Sequence, residues 1–335
     1  MVRVRFAPSP TGTLHVGNAL SAVVNRRLGD WLLLRLDDTD AARNVAGGEA
    51  AIVEDLGWLG IDWDDGPVRQ SERAERHMAA AREASLPQRF DGVMLWRDDG
   101  SPPFHLATVV DDVDFEITHV IRGSDHRPNE ELHAALHRAL GTQPPHVIHH
   151  GLVVGDDGKK LSKRADGATV ASLRDAGFPA EAVRAYLEEL ELPRHDVHLD
   201  LERIRSLSVD VLAQLEDAEL AARAGVPFEA APLMRGAHDL VEARRLAQSV
   251  LEPPSVESTQ GPNLETLERF AELRAPLPDV VSKDEAKAVV RELKAVGGNL
   301  RALRVALTGA ERGPELWAVL RALPRDEALR RALPS

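Results

Sequence analysis

The sequence predicts an α/β protein with a doubly wound, mostly parallel sheet in its N-terminal half and an all-helical C-terminal region. Over residues 1–155, short apolar runs typical of buried strands alternate with segments of helical periodicity. That order builds a parallel sheet covered by helices on both faces. From residue 168 onward only helical periodicity recurs, and breaks at Pro253-Pro254-Ser255 and Gly261-Pro262 divide those helices into two groups.

The first elements of the chain predict a βαβ unit. Residues Val2 to Phe6 alternate apolar and cationic side chains, the pattern of a short strand, and a loop rich in proline and glycine follows. Apolar residues then recur at helical spacing from His15 to Leu28, and Gly29 is a plausible stop. Trp31–Leu36 is almost continuously apolar, as in a buried parallel strand. The crossover between the two strands should be right-handed.

The remaining elements are predicted from the same signals. In the first half we expect helices around Gly48–Gly60, Glu72–Glu83 and Asn129–Leu140, and strands near Val93–Trp96, Phe104–Val110, Ile117–Ile121 and His146–Val154. Beyond residue 168 we expect helices over Ala171–Ala176, Ala180–Leu190, Asp210–Ala224, Ala237–Val250, Asn263–Leu273, Lys283–Ala295 and Leu300–Leu307.

The loop that ends at His15 is a candidate phosphate site. It leads into a helix N-terminus, where free backbone N–H groups and the helix dipole favour an anion. His15 would add a side-chain donor, and Gly17 would leave room for a nucleotide against the backbone. The alternative is an ordinary strand–loop–helix connection in which His15 only caps the helix.

A second candidate phosphate site is the basic segment Lys160-Leu161-Ser162-Lys163-Arg164, which follows the turn Asp156-Asp157-Gly158. Basic loops are commonly solvated surface. Lysine also suits a pyrophosphate leaving group, because a point charge on a long stem can follow the phosphate during displacement. Both candidate segments follow predicted strands, so they can border one crevice at the carboxyl edge of the sheet.

These segments resemble those of the class I aminoacyl-tRNA synthetases, and among them the glutamyl-tRNA synthetases. Pro8–Asn18 matches the loop of the "HIGH" signature, and Lys160–Arg164 matches the "KMSKS" signature in its glutamyl form. Further similarity lies in Arg35–Asp40, Asp55–Asp64, Arg69–Arg73, Val109–Asp112, Thr118–Gly123 and Arg291–Leu316. The resemblance extends over most of the chain.

The resemblance implies three parts and an activity. The parts are a Rossmann-like catalytic domain over residues 1–165, a helical stem-contact or linker domain over 166–252 and a helical anticodon-binding-like domain over 253–335. The implied activity is the ATP- and Mg²⁺-dependent conversion of L-glutamate to glutamyl-adenylate and its transfer to tRNA, with tRNA-Glu the expected partner. The protein is expected to be a cytoplasmic monomer.

The resemblance also implies site residues. The catalytic group comprises His15, Lys160, Ser162 and Lys163. ATP would be bound by Pro8, Thr11, Gly12, His15, Gly17, Asn18, Lys163 and Arg164, and glutamate by Arg5, Ala7, Ser9, Asp37, Phe104 and Arg122. In the glutamate pocket the two arginines would hold the substrate carboxylates in fork geometry. Asp37 would face the α-ammonium, and Ser9 would donate a hydrogen bond to a carboxylate.

The sequence departs from the glutamyl pattern in its pocket and in its length. Asp37 replaces a glutamate, Phe104 replaces a tyrosine, and Thr108 and Ser124 stand where longer polar or acidic residues are usual. The acceptor-stem insertion is reduced to a few residues near 85–91, and the chain has no cysteine, which excludes a thiolate zinc site. Three alternatives therefore stay open: an altered amino-acid substrate, a synthetase-like ligase with another acceptor (a small amine or a modified tRNA base), and a non-catalytic paralogue that binds glutamate or RNA.

Composition sets further bounds. With 335 residues, 43% hydrophobic and 28% charged, the chain reads as a globular protein of two or so domains. We find neither a signal peptide nor a run of about 18 apolar residues, so no membrane association is expected. The histidines form no metal-ligand pattern. A net charge of −13 opposes binding to nucleic acid, although basic residues crowd the stretch from Arg291 to Arg331. That stretch is either a basic face for RNA or a salt-bridged helical surface.

Overall fold

The computed structural model describes residues 1–155, 168–252 and 264–333. By their internal contacts they form two compact units. Unit 1 comprises Met1–Ala176 and Ala180–Ile204, and unit 2 comprises Gly177–Pro179 and Arg205–Ser335. The division into three parts at residues 165 and 252 stays a prediction. Four of the predicted site residues lie outside the described residues: Lys160, Ser162, Lys163 and Arg164.

Unit 1 begins with the predicted βαβ unit, which is confirmed. Strands β1 (Arg3–Phe6) and β2 (Trp31–Leu36) are parallel neighbours, with Arg5 opposite Leu33, and helix α1 (Val16–Leu28) connects them. Helix α2 (Gly48–Trp58) then leads to β3 (Asp65–Arg69), which pairs with β2 in the order β1-β2-β3. Five of the six residues of β2 are buried, as expected for the central strand of a covered sheet.

The other elements of unit 1 extend this α/β architecture. They are helix α3 (Ala74–Glu83), strands β4 (Arg89–Phe90) and β5 (Val93–Met94), helix α4 (Phe104–Asp114), strand β6 (His119–Gly123), helix α5 (Glu130–Ala139), strands β7 (His146–His150) and β8 (Val153–Val154), helices α6 (Val170–Asp175) and α7 (Ala180–Leu190), and strand β9 (Val197–His198). Strands β6 and β7 are parallel, as are β8 and β9. The backbone N–H of Thr118 donates to the carbonyl of Arg3 at 3.0 Å, which places β6 beside β1.

The prediction of a strand over Phe104–Val110 was wrong, because these residues form the first part of helix α4. Seven residues of this helix, from Leu106 to Asp112, are buried. A helix buried almost all round shows a continuous apolar run, and periodicity alone cannot distinguish such a run from a buried strand.

The predicted strand over His146–Val154 is divided into β7 and β8, which belong to different sheets. The division falls at Gly151, whose N–H donates to the carbonyl of Pro193 at 2.6 Å. A Cβ at Gly151 would lie only 1.9 Å from the carbonyl oxygen of His195, so the two backbones approach too closely for any other residue.

The short connection predicted near residues 85–91 is a small antiparallel hairpin. Strands β4 and β5 pair Arg89 with Met94 and Phe90 with Val93. The turn residues Asp91 and Gly92 both have positive φ, 49° and 80°, which is the backbone of a tight two-residue hairpin turn. The chain therefore passes from α3 to α4 through 20 residues that contain only this hairpin and turns.

The secondary-structure elements of unit 2 that the structure describes are helices. Its helices are α8 (Leu201–Gln214, which begins in unit 1), α9 (Asp217–Ala224), α10 (Leu240–Leu251), α11 (Leu264–Arg274), α12 (Lys283–Ala295), α13 (Leu300–Thr308), α14 (Leu316–Ala322) and α15 (Arg325–Ala332). The predicted single helix over Asp210–Ala224 is two helices, and α14 and α15 were not predicted. Leu220, Phe270 and Leu303 lie at the centre of the apolar core. Within the described residues, each helix is too short or too polar to cross a bilayer.

Candidate active site

The loop between β1 and α1 is held by backbone hydrogen bonds and ends in a histidine cap. The carbonyl of Pro8 accepts from the N–H of Asp37 at 3.0 Å, and the carbonyl of Pro10 accepts from the N–H of Val45 at 2.9 Å. His15 is the N-cap of α1, and its Nδ1 accepts from the N–H of Gly17 at 3.2 Å. Because Nδ1 is an acceptor, a neutral His15 carries its proton on Nε2. The cap therefore makes Nε2 a donor, so capping and phosphate binding are compatible.

The glycines of this loop have different roles. Gly12 has a φ of 104°, a left-handed conformation that glycine adopts without strain. A Cβ added at Gly17 would contact only Nδ1 of His15, at an ordinary 3.5 Å. Within the described residues there is thus no steric need for glycine at position 17, which is compatible with close approach of a ligand there. Thr11 is half-buried and Asn18 is exposed at the same end of α1.

We predict that Gly17→Ala separates ATP binding from stability. Alanine suits a helix better than glycine, so the free energy of unfolding should stay unchanged or rise by up to about 1 kcal/mol. The added methyl group would occupy ligand space, and KM for ATP should rise roughly tenfold, about 1.4 kcal/mol. Steady-state pyrophosphate exchange and thermal unfolding measure the two effects. Gly57→Ala, on the exposed face of α2 with nothing within 4 Å, is the matched control. An unchanged KM for ATP would contradict the assignment.

Arg35 is the centre of a buried charge cluster beside this loop. Its side chain is fully buried, although it lies in the apolar strand β2. Its Nε donates to Asp37 at 2.8 Å, and its Nη1 donates to Asp112 of α4 at 2.8 Å. Burial opposes the charged form of Arg35, but the charges of Asp37 and Asp112 raise its pKa. Burial raises the pKa of Asp37, and Arg35 opposes that shift.

Two further buried arginines, Arg5 of β1 and Arg122 of β6, belong to the same region. Nε of Arg5 lies 3.4 Å from Oδ1 of Asp112. Nε of Arg122 donates to Nε2 of His149 at 3.3 Å, and among the described residues no carboxylate lies within 4.0 Å of its guanidinium. Burial, followed by the charge of Arg5, lowers the pKa of Arg122 to about 10, so it remains protonated at neutral pH.

The carboxylates of this cluster pair directly with two of its three arginines. Asp37 and Asp112 accept hydrogen bonds from Arg35, and Asp112 also lies near Arg5. Arg122 is only 7% exposed and forms no ion pair within the described residues, and the carboxylates of Asp112, Glu130 and Asp125 act on it only from a greater distance. A buried guanidinium without a direct partner is costly unless a ligand supplies one. Arg122 is therefore the candidate anion-binding group of the cluster.

Asp111 supports the cluster from the side opposite to Asp112. Its carboxylate accepts from Nε2 of Gln70 at 2.9 Å and from Nε of Arg73 at 2.7 Å, and it shares a 2.7 Å hydrogen bond with His77. Burial alone would raise the pKa of Asp111, but the hydrogen bond from His77 and the charge of Arg35 lower it to about 2. This carboxylate therefore stays ionised and fixes the start of α3 to α4.

Aromatic and hydroxyl groups line the part of α4 that faces these arginines. The ring of Phe104 lies 5.8 Å from that of His133, which shares a 3.0 Å hydrogen bond with His105. Burial and then the charge of Arg122 lower the pKa of His133 to about 2, so this ring is neutral. The same two causes lower the pKa of His105 below its usual range. One turn further, Oγ1 of Thr108 is buried without a hydrogen-bond partner in the described residues.

The predicted site residues can now be placed. Arg5, Asp37 and Arg122 share one buried cluster, and Phe104 lies on the helix that supplies Asp112. Ala7 and Ser9, both half-buried, lie in the loop between β1 and α1 with Pro8, Thr11 and Gly12. Sequence reasoning did not assign roles to Arg35, Asp111 and Asp112. The sequence signal that could have identified them is a charged residue inside or at the end of an apolar run. Arg35 lies in the run Trp31–Leu36, and the two aspartates end the run Leu106–Asp112.

The chain that follows the second basic segment lies against the first loop. The N–H of Val16 donates to the carbonyl of Ala168 at 3.0 Å, and the N–H of Val170 donates to the carbonyl of Leu14 at 2.9 Å. His15 and Thr169 form an antiparallel bridge between these hydrogen bonds. Ala168 is thus fixed at the N-terminus of α1, four residues after Arg164 in the sequence.

Comparisons with known proteins show similarity over nearly the whole chain. The family model described as tRNA synthetases class I (E and Q), catalytic domain, matches residues 1–86 and 84–210. A glutamate–tRNA ligase of Rubrobacter xylanophilus is 35% identical over 98% of this chain and 96% of its own length, and one of a Synechococcus species is 30% identical over 97% and 96%. The crystal structure of a glutamate tRNA ligase from Elizabethkingia meningosepticum in complex with its amino acid has a TM-score of 0.78 at 22% identity, covering 99% and 98% of the two chains. This structure shows the fold.

The alignment with the Rubrobacter protein also measures how short this chain is. It has 417 positions, and 98% of 335 residues fill about 328 of them, which leaves roughly 90 positions without a residue in this chain. The chain therefore matches nearly the whole length of this relative with fewer residues, and the difference lies within the aligned region.

Proposed function

Since the chain belongs to the class I tRNA synthetases of the glutamate and glutamine group, we propose that it is a glutamate–tRNA ligase. It would activate L-glutamate with ATP and transfer the glutamyl group to tRNA. The observation that carries the choice of glutamate is the buried guanidinium of Arg122, which forms no ion pair within the described residues.

The charge of the cluster discriminates between the two amino acids of the family. At neutral pH glutamate carries two carboxylates and one ammonium, so both Arg5 and Arg122 can pair with a carboxylate. Glutamine replaces the side-chain carboxylate by a neutral amide, so one of these buried guanidinium groups would lose its ionic partner, which costs several kcal/mol. In this arrangement Arg122 and Arg5 hold carboxylates, and the carboxylate of Asp37 faces the ammonium. Aspartate has the same charge as glutamate, and its shorter side chain costs about 1–3 kcal/mol of contact.

The ATP site would lie at the N-terminus of α1. The α-carboxylate of glutamate attacks the α-phosphorus, a bond forms between these atoms, and pyrophosphate leaves with the electrons of the broken P–O bond. Nε2–H of His15 and the positive end of the α1 dipole would stabilise the phosphate charge, and Gly17 would allow close approach. Lys160 and Lys163, with Ser162 shaping their segment, would neutralise the pyrophosphate, and Arg164 would assist. Catalysis of this kind consists of positioning and charge stabilisation.

Mg²⁺ would enter with ATP as part of the substrate, held mainly by phosphate oxygens. In residues 1–155, 168–252 and 264–333 we find no cluster of three His, Cys, Asp or Glu side chains that is arranged to hold an ion of its own. The second half-reaction needs no further cofactor. A ribose hydroxyl of the tRNA terminus attacks the carbonyl carbon of the mixed anhydride, and AMP leaves.

A cleft in unit 2 is the surface that we assign to tRNA. Its volume is about 600 Å³, and its lining includes Lys287, Arg301, Arg304 and Trp317. The ammonium groups of Lys283 and Lys287 lie 4.9 Å and 5.6 Å from the ring centroid of Trp317. Trp317 is half-buried, and Glu311 and Glu315 also line the cleft. Cationic groups around a partly exposed aromatic ring suit a nucleotide, because the ring can stack on a base while the cations approach phosphates. Cytoplasmic location and a monomeric state stay predictions.

The first experiment is ATP–pyrophosphate exchange with glutamate, glutamine and aspartate, each with and without tRNA, followed by charging of tRNA with labelled glutamate. Exchange with glutamate at least about tenfold faster than with glutamine supports the proposal, and esterified tRNA establishes the acceptor. Exchange without any charging of tRNA would favour the alternative ligase with a different acceptor. No exchange with any amino acid would contradict an enzymatic function.

A further inference from the structure

Asp55, a residue outside both signature segments, binds the end of the His15 loop. It lies near the end of α2, and its side chain is 1% exposed. Its Oδ2 accepts from the N–H of Leu14 at 2.7 Å and from Oγ1 of Thr13 at 2.5 Å. Hydrogen bonds to a buried carboxylate are about twice as strong as neutral ones. The two residues that immediately precede His15 are therefore fixed to α2.

The carboxylate of Asp55 is also linked to residues 168–174, which lie beside His15. Its Oδ1 lies 3.7 Å from Nη2 of Arg174, on α6. Oγ1 of Thr13 accepts from the N–H of Ala171 at 3.4 Å while it donates to Asp55. With the backbone hydrogen bonds between residues 14–16 and 168–170, these contacts join three segments around one carboxylate.

We propose that Asp55 is a positioning residue for the reaction of ATP with glutamate. It acts through Thr13 and Leu14, which set the direction of the His15 imidazole and of the first N–H groups of α1. The inference rests on the proposed function, because it assigns ATP to that helix terminus. Asp55 itself, buried behind the loop, contacts neither substrate. A loss of position of about 1 Å at a catalytic group can cost roughly 10²-fold in rate, so the contribution of Asp55 should be large despite its distance from the reaction.

The variants are Asp55→Asn, which keeps the size and one acceptor oxygen, and Asp55→Ala, which removes every contact. The matched control is Asp64→Asn. The carboxylate of Asp64 also accepts from a backbone N–H, that of Leu32 at 2.8 Å, and from an arginine, Arg26 at 2.8 Å, but it contacts neither the His15 loop nor residues 168–171. Its loss therefore removes the same kinds of bond elsewhere in unit 1.

Two measurements separate positioning from general support of the fold. The first is amide hydrogen exchange of residues 11–18 and 168–175, which needs no activity. We expect faster exchange in these segments for Asp55→Ala, an intermediate rate for Asp55→Asn and no change for Asp64→Asn. The second is pyrophosphate exchange, in which Asp55→Ala should lower kcat/KM for ATP about 10²-fold. KM for glutamate should stay within about twofold, since Arg5, Arg35 and Arg122 are untouched.

Each outcome has a definite meaning. Unchanged amide exchange in both segments would overturn the proposal. A variant in which the KM values for ATP and for glutamate rise by the same factor while the melting temperature falls would overturn it as well. If the wild type exchanges pyrophosphate with no amino acid, the proposed function fails. The amide exchange of Asp55→Ala then still decides whether this carboxylate holds the loop. Partial recovery in Asp55→Asn, with intermediate values of both measurements, supports the hydrogen bonds to Leu14 and Thr13 as the cause.

Discussion

Replacing Arg122 by methionine should abolish activation of glutamate and leave the protein at least as stable as the wild type. The guanidinium is buried, donates to His149 and has no ion pair within the described residues. An apolar side chain of similar length removes a buried charge that has no direct ion pair, and such a replacement is commonly neutral or stabilising. The substrate loses charge-assisted hydrogen bonds worth about 3 kcal/mol, so kcat/KM for glutamate should fall at least roughly 10²-fold. Pyrophosphate exchange and thermal unfolding measure both effects.

The control for this prediction is Arg138→Met, which removes the same charge from the exposed face of α5. It should change neither KM for glutamate nor kcat by more than about twofold, because exposed charges interact weakly through solvent. The assignment of Arg122 fails if Arg122→Met retains glutamate-dependent exchange near the wild-type rate. A melting temperature well below that of the wild type would show that the guanidinium has a structural counterion.

Arg35→Met should cause the largest loss of stability among single substitutions in unit 1. It would leave Asp37 and Asp112 buried without the guanidinium that hydrogen-bonds both. Breaking a buried ion pair on one side costs about 3–5 kcal/mol. For a unit of about 200 residues this lowers the melting temperature by roughly 10 °C. Calorimetry at several pH values is the appropriate measurement.

The loss in Arg35→Met should depend on pH. Burial already raises the pKa of Asp37, and without Arg35 only the charge of Arg5 still opposes that shift. A carboxyl group whose pKa is higher in the folded than in the unfolded state stabilises the fold at pH values below its unfolded-state pKa. That stabilisation is lost as the pH rises through its folded-state pKa. The difference in stability between variant and wild type should therefore shrink as the pH falls toward 4.

The control is Arg26→Met, which loses a half-exposed ion pair with Asp64. It should lower the free energy of unfolding by only about 1 kcal/mol or less.

The βαβ unit and most helices could be predicted from the sequence because their patterns are local. Helix α12, for example, begins at Ser282 with a capping box to Glu285, and its predicted bounds are those of the structure. The errors lie where burial removes the pattern. Helix α4 is buried on most of its surface, so its apolar run indicated a strand. The division of His146–Val154 depends on the approach of Pro193 and His195, which are distant in sequence.

The site was predictable in part, for a related reason. His15 and Gly17 belong to a contiguous signature whose loop and helix are visible in the sequence, and the family resemblance supplied Arg5, Asp37 and Arg122. Arg35 and Asp112 were not assigned, because their role exists only where β2 and α4 meet. Asp55 likewise has no local signal, since its partners Thr13 and Arg174 lie far away on both sides of it in the chain.

The buried charge cluster also has a consequence for how the protein folds. Arg35 and Asp112 are 77 residues apart, and the contact of Arg3 with Thr118 closes a span of 115 residues. Contacts between residues so far apart in the sequence form slowly, because the chain loses the entropy of closing a long loop before the contact stabilises it. During synthesis, no amino-acid pocket can exist until β6 has emerged and joined β1. We therefore expect refolding unit 1 to acquire helical signal first and the capacity to bind glutamate last.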